Sequence, residues 1–326
     1  RGHLTSVTDP TGGVVRMTYT DAFGQLATLT DRRGNTTAYR YEADGDLAAV
    51  VYPDGLRDEY AYDATGTLAG AENRRDQPVR YTTDAAGRVA RADYEDGTYA
   101  AYTYDARGNL RTARDVRGGV TTYEYDAADR LTRVTDPAGR FLRFTYDAAG
   151  RRATSLDQDG FALTYHYDAA GRLGSLTDAA DAEVVRYTYD AAGRLARKDH
   201  GNGTATTYDY DPAGQSLRLT NLAPGGAADS RFEYTYDDLG RRTSQTTADG
   251  TTTYDYDANG QLTRAELPGG RVIVYEYDAE GNRTAVTDGG VRTAYTTNNL
   301  NQYTQVGDDS YTYDPDGNLT RVSGPG

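Results

Sequence analysis

The chain has 326 residues, a formal net charge of −14 and a pI near 4.7, and it contains no cysteine. A protein that wraps nucleic acid or covers an anionic membrane face needs a basic footprint, so this charge argues against both partners and favours basic ones. The lack of cysteine excludes disulfides, a thiolate nucleophile and a cysteine-based zinc site. No apolar run reaches the roughly eighteen residues that a membrane-spanning helix needs.

One nine-residue phrase recurs from one end of the chain to the other. It reads Tyr-Thr-Tyr-Asp-Ala-Ala-Gly-Arg-Leu at 187–195, and the first seven spacings between its glycine slots are all 21 residues. Self-similarity at a fixed period of this size indicates a repeat architecture. We therefore expect residues 1–326 to form a single array of about 15 repeats. Because the sequence opens in the middle of a repeat, we expect it to be a fragment of a longer protein.

Each phrase predicts a strand followed by a tight turn. Tyr187 and Tyr189 lie two residues apart, so on an extended strand both rings point to the same face. Asp190 can accept hydrogen bonds from downstream amides, and Gly193 can take the positive φ that a hairpin loop requires. Leu195 opens the next strand. The equivalent positions one repeat earlier are Tyr165, Tyr167, Asp168 and Gly171.

In chain order, residues 4–8 and 14–20 are predicted strands around a turn at 9–12. Tyr19 is one place out of register with the later tyrosine positions, which indicates a bulge or a weak first repeat.

A second turn separates successive signatures, so each repeat is strand, turn, strand, turn. Roughly 30 strands in one antiparallel meander make a sheet so wide that accumulated twist should coil it into a spiral or hollow β-shell, or an open arc of one. Second turns of this kind lie at 53–55, 95–97, 117–119, 136–139 and 157–160.

Several local irregularities carry predictions of their own. Leu173 and Leu176 stand three apart, and a bulge just after the turn would reconcile them with one strand. The proline- and glycine-rich residues 223–228 predict a lengthened hairpin loop, because insertions in a meander map to loop tips. The spacing contracts to 16 between Asn301 and Gly317. Residues 323–326 predict a break, beyond which we expect the array to continue.

Candidate catalytic chemistry is sparse. The three histidines are His3, His166 and His200; His166 lies between two tyrosines and His200 in a turn. No serine elbow, phosphate-binding glycine loop or zinc spacing is present, so the sequence predicts no catalytic residue, no cofactor and no metal site. Acidic pairs recur because the turn recurs, which leaves structural calcium and glycoside hydrolysis as weaker alternatives.

The tyrosines carry the main rival interpretation. Thirty of them occur in the chain, and a tyrosine ring can either pack against its own sheet or stack on a sugar. Packing is the interpretation that we favour. If the sheet binds carbohydrate, the rings that we expect to stack on it are Tyr102, Tyr104, Tyr123 and Tyr125.

The repeated phrase Tyr-x-Tyr-Asp-x-x-Gly-Arg-Leu, as at 165–173 and 187–195, resembles the YD repeat of Rhs proteins, teneurins and the shell subunits of insecticidal toxin complexes. The phrases at 298–303 and 311–319 are similar to those late in such arrays. This resemblance implies a β-sheet ribbon that spirals into a hollow shell, which in bacterial members encloses a C-terminal toxin and in teneurins supports adhesion. Bacterial members end in an Asp-Pro-x-Gly-Leu-like cleavage stretch; here all four Asp-Pro-x-Gly sequences occupy turn slots, so none is assigned to self-cleavage.

The resemblance implies a structural scaffold and not an enzyme. The implied partners are a C-terminal effector domain of the same polypeptide or neighbouring shell segments, and the implied location is secreted or at the bacterial cell surface, or carried by a secretion system. An extracellular adhesin or carbohydrate-binding surface protein that contacts glycans or receptors is the alternative, and a carbohydrate-active enzyme is more remote.

Overall fold

A computed structural model describes residues 2–324, in which 31 β-strands and no helix occur. Consecutive strands pair antiparallel, and the strand pairings join them into one 31-stranded sheet. The predicted all-β meander of hairpin repeats is confirmed. None of the described residues lies in a helix long and apolar enough to cross a membrane.

The strands are short and evenly spaced along the chain. They are β1 Ser6–Thr8, β2 Val14–Tyr19, β3 Leu26–Thr30, β4 Thr36–Tyr41, β5 Leu47–Val51, β6 Arg57–Tyr62, β7 Leu68–Glu72, β8 Pro78–Thr83, β9 Val89–Tyr94, β10 Tyr99–Tyr104, β11 Leu110–Arg114, β12 Val120–Tyr125, β13 Leu131–Thr135, β14 Phe141–Tyr146, β15 Arg152–Asp157, β16 Ala162–Tyr167, β17 Leu173–Thr177, β18 Glu183–Tyr189, β19 Leu195–His200, β20 Ala205–Tyr210, β21 Ser216–Leu222, β22 Ala228–Tyr236, β23 Arg242–Thr247, β24 Gly250–Tyr256, β25 Leu262–Glu266, β26 Val272–Tyr277, β27 Arg283–Asp288, β28 Val291–Thr297, β29 Tyr303–Val306, β30 Asp309–Tyr313 and β31 Leu319–Ser323.

The chain divides into two compact units. Unit 1 combines the residues up to Tyr99 with those from Tyr254 onward, so it joins segments far apart in sequence. Unit 2 is the continuous stretch Ala100–Thr253.

The two faces of the sheet differ in chemistry. In β12, Tyr123 and Tyr125 are half-buried, whereas Thr122 and Glu124 between and beside them are exposed. We call the side with the Tyr-x-Tyr rings the tyrosine face and the other side the threonine face. Threonine hydroxyls hydrogen-bond across strands on the latter, as in the Thr145–Thr154 pair at 2.6 Å.

A bulge follows most signature turns, as predicted. Tyr165 lies opposite Leu176 and Tyr167 opposite Leu173, with a register shift between His166 and Tyr167. The extra residue in the β17 strand therefore turns both leucines toward the tyrosine face, which a regular strand cannot do. The same shift recurs between Thr188 and Tyr189 in β18.

The predicted loop at 223–228 is wrong. The turn there is closed by the same two hydrogen bonds as other turns, from the Ala223 amide to the Ala227 carbonyl and from the Gly226 amide to the Ala223 carbonyl. The inserted residues instead lengthen β21 to 7 residues and β22 to 9 residues. Extra residues that continue the ladder satisfy their backbone groups, which a longer loop would leave to solvent. Likewise, the contraction before Gly317 shortens β29 and β30.

The core is shallow, as expected for a sheet of half-buried rings. Across residues 2–324 no large side chain is fully buried, and most of the buried hydrophobic residues are alanines. β31 ends at Ser323. The break predicted over 323–326 includes Pro325 and Gly326, and the opening of the array includes Arg1; these three lie outside the described residues. The buried hydrophobic residues are Ala49, Val50, Ala92, Ala100, Phe144, Val185, Ala205, Ala265 and Ala285.

Candidate functional site

The aspartate of the signature organises its own turn. One oxygen of Asp168, Oδ1, accepts hydrogen bonds from the backbone amides of Ala170 and Arg172, both at 2.9 Å. The other, Oδ2, accepts from Nε of Arg172 at 2.7 Å. Gly171 has a φ of 80°, the left-handed conformation that glycine adopts without steric cost. The amide of Arg172 is the main cause that lowers the pKa of Asp168, followed by its guanidinium. Asp190 is held in the same way by Arg194.

The arginine of the signature reaches the next repeat. The guanidinium of Arg151 lies 4.2 Å from the ring centroid of Tyr167, and that of Arg172 lies 4.3 Å from the ring centroid of Tyr189. A guanidinium over a tyrosine ring is attracted by the negative face of the ring. Each of these arginines therefore joins the turn of one repeat to a ring of the next. Arg130 over Tyr146 and Arg194 over Tyr210 repeat the arrangement, both at 4.7 Å.

The second tyrosine of most pairs is fixed at its hydroxyl as well. The hydroxyl of Tyr189 donates to the Leu173 carbonyl at 2.8 Å, and that of Tyr167 donates to the Arg152 carbonyl at 2.8 Å. Each acceptor lies in the preceding repeat, so the bond crosses from one hairpin to the next. The same donation to a preceding backbone carbonyl is made by Tyr19, Tyr41, Tyr62, Tyr146, Tyr210, Tyr236, Tyr277 and Tyr313.

The first tyrosine of each pair has a different environment. Tyr187 lies opposite Lys198 in β19, and Tyr165 lies opposite Leu176 in β17. The Tyr165 hydroxyl is 3.4 Å from the Ser155 hydroxyl. These rings are half-buried and therefore retain an exposed portion.

The four tyrosines predicted as sugar-stacking candidates share the tyrosine face on β10 and β12. Tyr102 lies opposite Ala113 and Tyr104 opposite Leu110. Tyr123 and Tyr125 lie opposite Val134 and Leu131, and burial raises the pKa of Tyr125. All four are half-buried. The rings are on alternate strands with β11 between them, and sugar stacking there stays a prediction.

Tyr52 binds a carboxylate instead of a backbone carbonyl. Its hydroxyl donates to Oδ2 of Asp58 at 2.6 Å, and the guanidinium of Arg74 lies 4.6 Å from its ring centroid. Burial, with the hydrogen bond to Asp58 next in weight, raises the pKa of Tyr52 to about 12. The phenol is therefore neutral at physiological pH.

Unit 1 contains a second arrangement, formed by turns that are far apart in sequence. Three turns near the start of the chain contact four signature turns near its end, across sequence separations of up to 268 residues. We call this set of contacts the turn seam. It joins turn 9–12 to turn 257–260, turn 31–34 to turns 278–281 and 298–301, and turn 73–76 to turn 314–317.

Arg33 is the most connected residue of the turn seam. Its Nη1 donates to the Thr297 hydroxyl at 2.9 Å, to the Asn298 carbonyl at 3.0 Å and to Oδ1 of Asn301 at 3.0 Å. Its Nε lies 3.5 Å from Oδ2 of Asp278. One guanidinium thus spans two consecutive signature turns, as its forked donor geometry allows.

Arg75 holds the last turn of the seam. Its Nε donates to Oδ2 of Asp316 at 2.5 Å, and its Nη1 lies 3.3 Å from Oδ2 of Asp314. Nδ2 of Asn73 donates to the same Asp316 oxygen at 2.8 Å. The pKa of Asp314 is lowered, chiefly by hydrogen bonds from Asn318 and further by the charge of Arg75.

Arg32 completes the turn seam through both backbone and side chain. Its amide donates to Oε1 of Glu280 at 2.6 Å, and its guanidinium lies 2.7 Å from Oδ2 of Asp9. Nδ2 of Asn259 donates to the Thr11 hydroxyl at 2.8 Å. At the turns that carry Arg32, Arg33 and Arg75, basic residues of early turns therefore meet acidic and amide residues of late turns.

Sequence reasoning assigned no role to the signature arginines or to the seam arginines. A usable signal existed for the first group, because an arginine follows the turn aspartate by four residues in repeat after repeat. No sequence signal indicated the partners of the seam arginines, which lie up to 268 residues away. Within residues 2–324 no group of three or more histidine, aspartate or glutamate side chains is placed to hold a metal. His166 contacts the Thr177 hydroxyl at 3.0 Å.

Comparison with known proteins agrees with this geometry. The family model of the Teneurin YD-shell matches residues 25–169, 56–223 and 120–253, and that of the RHS Repeat matches 1–37 and 256–293. No curated protein matches the chain.

Solved structures share the fold. The crystal structures of TcdB2-TccC3 and TcdB2-TccC3-TEV match with a TM-score of 0.78 and 18% identity, covering 97% and 95% of this chain. A Photorhabdus luminescens Tc holotoxin pore matches 97% of the chain with a TM-score of 0.57 and 17% identity. The chain spans about a fifth of the matched TcdB2-TccC3 chains, 22% and 20% respectively. The Teneurin YD-shell model alone matches more than half of the sequence, and the chain belongs to that YD-shell family.

Proposed function

We propose that this chain is a structural scaffold: a β-shell segment of an Rhs/YD-repeat protein that encloses or presents a C-terminal effector of the same polypeptide. The observation that carries the proposal is that the polar groups of the signature bind other groups of the array. The carboxylate of Asp168, the guanidinium of Arg172 and the hydroxyl of Tyr189 all bind within the sheet or its turns. Groups committed to neighbouring repeats serve the sheet itself.

The similarity to toxin-complex structures supports a cargo role. One similar structure is named TcdB2-TccC3 without hypervariable C-terminal region, and another carries Cdc42 in its name. By analogy, the effector of this protein would follow the array in sequence. The net charge of −14 favours a basic effector.

The proposal includes no catalysis by the array. Its family and fold are those of structural YD-shell proteins. A scaffold of this kind would act outside the producing cell, either secreted or at the bacterial surface, or carried by a secretion system. Its partners would be the effector and neighbouring shell segments.

The full-length natural polypeptide provides the test. It is purified, treated with increasing protease and examined by gel electrophoresis and mass spectrometry, with the urea-unfolded polypeptide as the control for intrinsic cleavability. Encapsulation predicts a C-terminal region that survives at protease concentrations that digest it completely in the unfolded control.

A C-terminal region digested at the same rate in both samples would contradict encapsulation. The half-exposed rings of Tyr102, Tyr104, Tyr123 and Tyr125 would then be screened against glycans and cell surfaces, as an adhesin requires. Saturable glycan binding that is lost on Tyr102→Ala with the fold intact would establish that alternative.

A further inference from the structure

The arginines of the turn seam belong to a series with a fixed interval. Arg33, Arg75 and Arg117 follow one another at 42 residues, which is two repeats. Arg33 and Arg75 are both in the seam. Arg117 lies in unit 2 and is the third member of the series.

The three arginines occupy turns of the same local geometry. In each turn, a side-chain oxygen two residues earlier accepts the arginine amide, at 2.9 Å for Arg33, 3.1 Å for Arg75 and 2.8 Å for Arg117. The same oxygen also accepts the amide two residues after the arginine, at 2.7, 3.0 and 2.8 Å. The backbone therefore presents each guanidinium from the same place in the turn.

The environments of the three guanidinium groups differ. Arg33 and Arg75 each lie within ion-pair distance of the first aspartate of a signature turn, Asp278 and Asp314 respectively. Arg117 is exposed, and within the described part of the chain no carboxylate pairs with its side chain. Its neighbour Val116 is also 45% exposed.

We propose that the turn at 115–118 is a docking position for an acidic signature turn, of the form Asp-x-(Asp/Glu)-Gly, presented by another YD-repeat segment. The occupied positions define this partner. Arg75 takes Asp314-Pro315-Asp316-Gly317, and the turn that carries Arg33 takes Asp278-Ala279-Glu280-Gly281 through Arg32 and Arg33. A carboxylate at the first turn position and a second one two residues later complement the forked donors of an arginine.

The docking is a one-turn contact, so its strength depends on how many turns engage together. An exposed ion pair by itself contributes little, and the seam gathers several such contacts along one edge. Successive turns on one rigid segment would bind with the advantage of multivalency. A single isolated turn should therefore bind weakly but selectively.

The test uses the intact chain and a backbone-cyclised, fluorescein-labelled peptide of residues 309–323, which holds the hairpin of β30 and β31 with its Asp314–Gly317 turn. Cyclisation is needed because an isolated two-stranded hairpin is only marginally stable. Binding is followed by fluorescence anisotropy at low ionic strength, where exposed charge pairs are least screened. Because Arg75 is already occupied within the chain, the free position is Arg117.

The proposal predicts saturable binding of the peptide to the unmodified chain. The affinity should fall about tenfold in Arg117→Gln, and about tenfold for the unmodified chain when the peptide carries Asp314→Asn and Asp316→Asn. Arg140→Gln is the control, since Arg140 directly follows the next second turn, 136–139, and pairs with Asp136 of that turn. It should bind as the unmodified chain does, and circular dichroism should be the same for all variants. Unchanged affinity in Arg117→Gln, or no saturable binding to the unmodified chain, would overturn the proposal.

Discussion

Arg172 and Tyr189 belong to successive repeats, and the guanidinium of Arg172 lies 4.3 Å from the centroid of the Tyr189 ring. Asp168 orients the same guanidinium, because Nε of Arg172 donates a hydrogen bond to Oδ2 of Asp168 at 2.7 Å. A turn aspartate, an arginine and a ring of the next repeat thus form one continuous chain of contacts. The same chain of contacts recurs at Arg130, Arg151 and Arg194, and it links successive hairpins of this region without a deep hydrophobic core.

Tyr189→Phe should lower the free energy of unfolding by about 1 kcal/mol, because it removes a hydroxyl that donates to the Leu173 carbonyl. Urea unfolding measures the change. Tyr187→Phe is the matched control, since its hydroxyl donates no hydrogen bond within residues 2–324. Equal losses in the two variants would show that the Tyr189 hydroxyl contributes nothing particular.

Much of this fold could be predicted from sequence because its determinants are local. The Tyr-x-Tyr spacing and the glycine three residues after each turn aspartate, as in Asp168 and Gly171, fix strand and turn within one repeat. The bulge also followed from two leucines, Leu173 and Leu176, that a regular strand would separate. The structure adds that both face the tyrosines.

Other features depend on contacts between residues that are far apart in sequence, which no local pattern encodes. The partner of Arg172 is a ring 17 residues later, and the partners of Arg33 lie up to 268 residues away. The displacement of Tyr19 from the repeat register has a local cause that the sequence did not locate. Its hydroxyl bonds the Leu4 carbonyl as later tyrosines do, so the extra residue is in the turn that follows, where the Gly24 amide donates to the Thr20 carbonyl.

Acid should destabilise the array over a defined range of pH. Hydrogen bonds lower the pKa of many turn aspartates, chiefly from the Arg151 side chain for Asp147 and from the Arg194 amide for Asp190. A carboxyl whose folded pKa is depressed contributes stability above its unfolded pKa, about 3.9, and that contribution is lost as pH falls through the folded value.

The urea midpoint should therefore be flat near neutral pH and fall steeply only below about pH 4. A midpoint that declines mainly between pH 5 and 7 would contradict this assignment. The turn aspartates of this group include Asp63, Asp84, Asp105, Asp126, Asp147, Asp168, Asp190, Asp237 and Asp314.

Alkali should act on Tyr52 later than on an ordinary tyrosine. Burial and Asp58 raise its pKa to about 12. A raised folded pKa means that the stabilisation is fully present below the unfolded value, about 10, and is lost as pH rises toward 12. The ultraviolet titration difference between the natural chain and Tyr52→Phe should therefore have its midpoint near 12, and a midpoint near 10 would refute the contact with Asp58.

Arg75→Gln should loosen the end of unit 1. It removes the ion pairs to Asp314 and Asp316, so amide hydrogen exchange in β30 and β31 should accelerate about fivefold, equivalent to about 1 kcal/mol. Arg57→Gln is the control, since Arg57 pairs with Glu59 inside one strand. High salt should produce part of the same acceleration in the natural chain. Exchange that is unchanged in Arg75→Gln would mean that the turn seam does not hold these strands.

The most direct test of the scaffold role is to measure unfolding and glycan binding on the same sample of the double variant Tyr187→Ala, Tyr189→Ala. The variant loses the ring beneath Arg172 and the hydrogen bond to the Leu173 carbonyl, so its urea midpoint should lie well below that of the natural chain. The scaffold role also predicts that the variant loses no glycan binding that the natural chain has. An unchanged midpoint together with the loss of a specific glycan would contradict it, because the tyrosines would then serve a ligand and not the sheet.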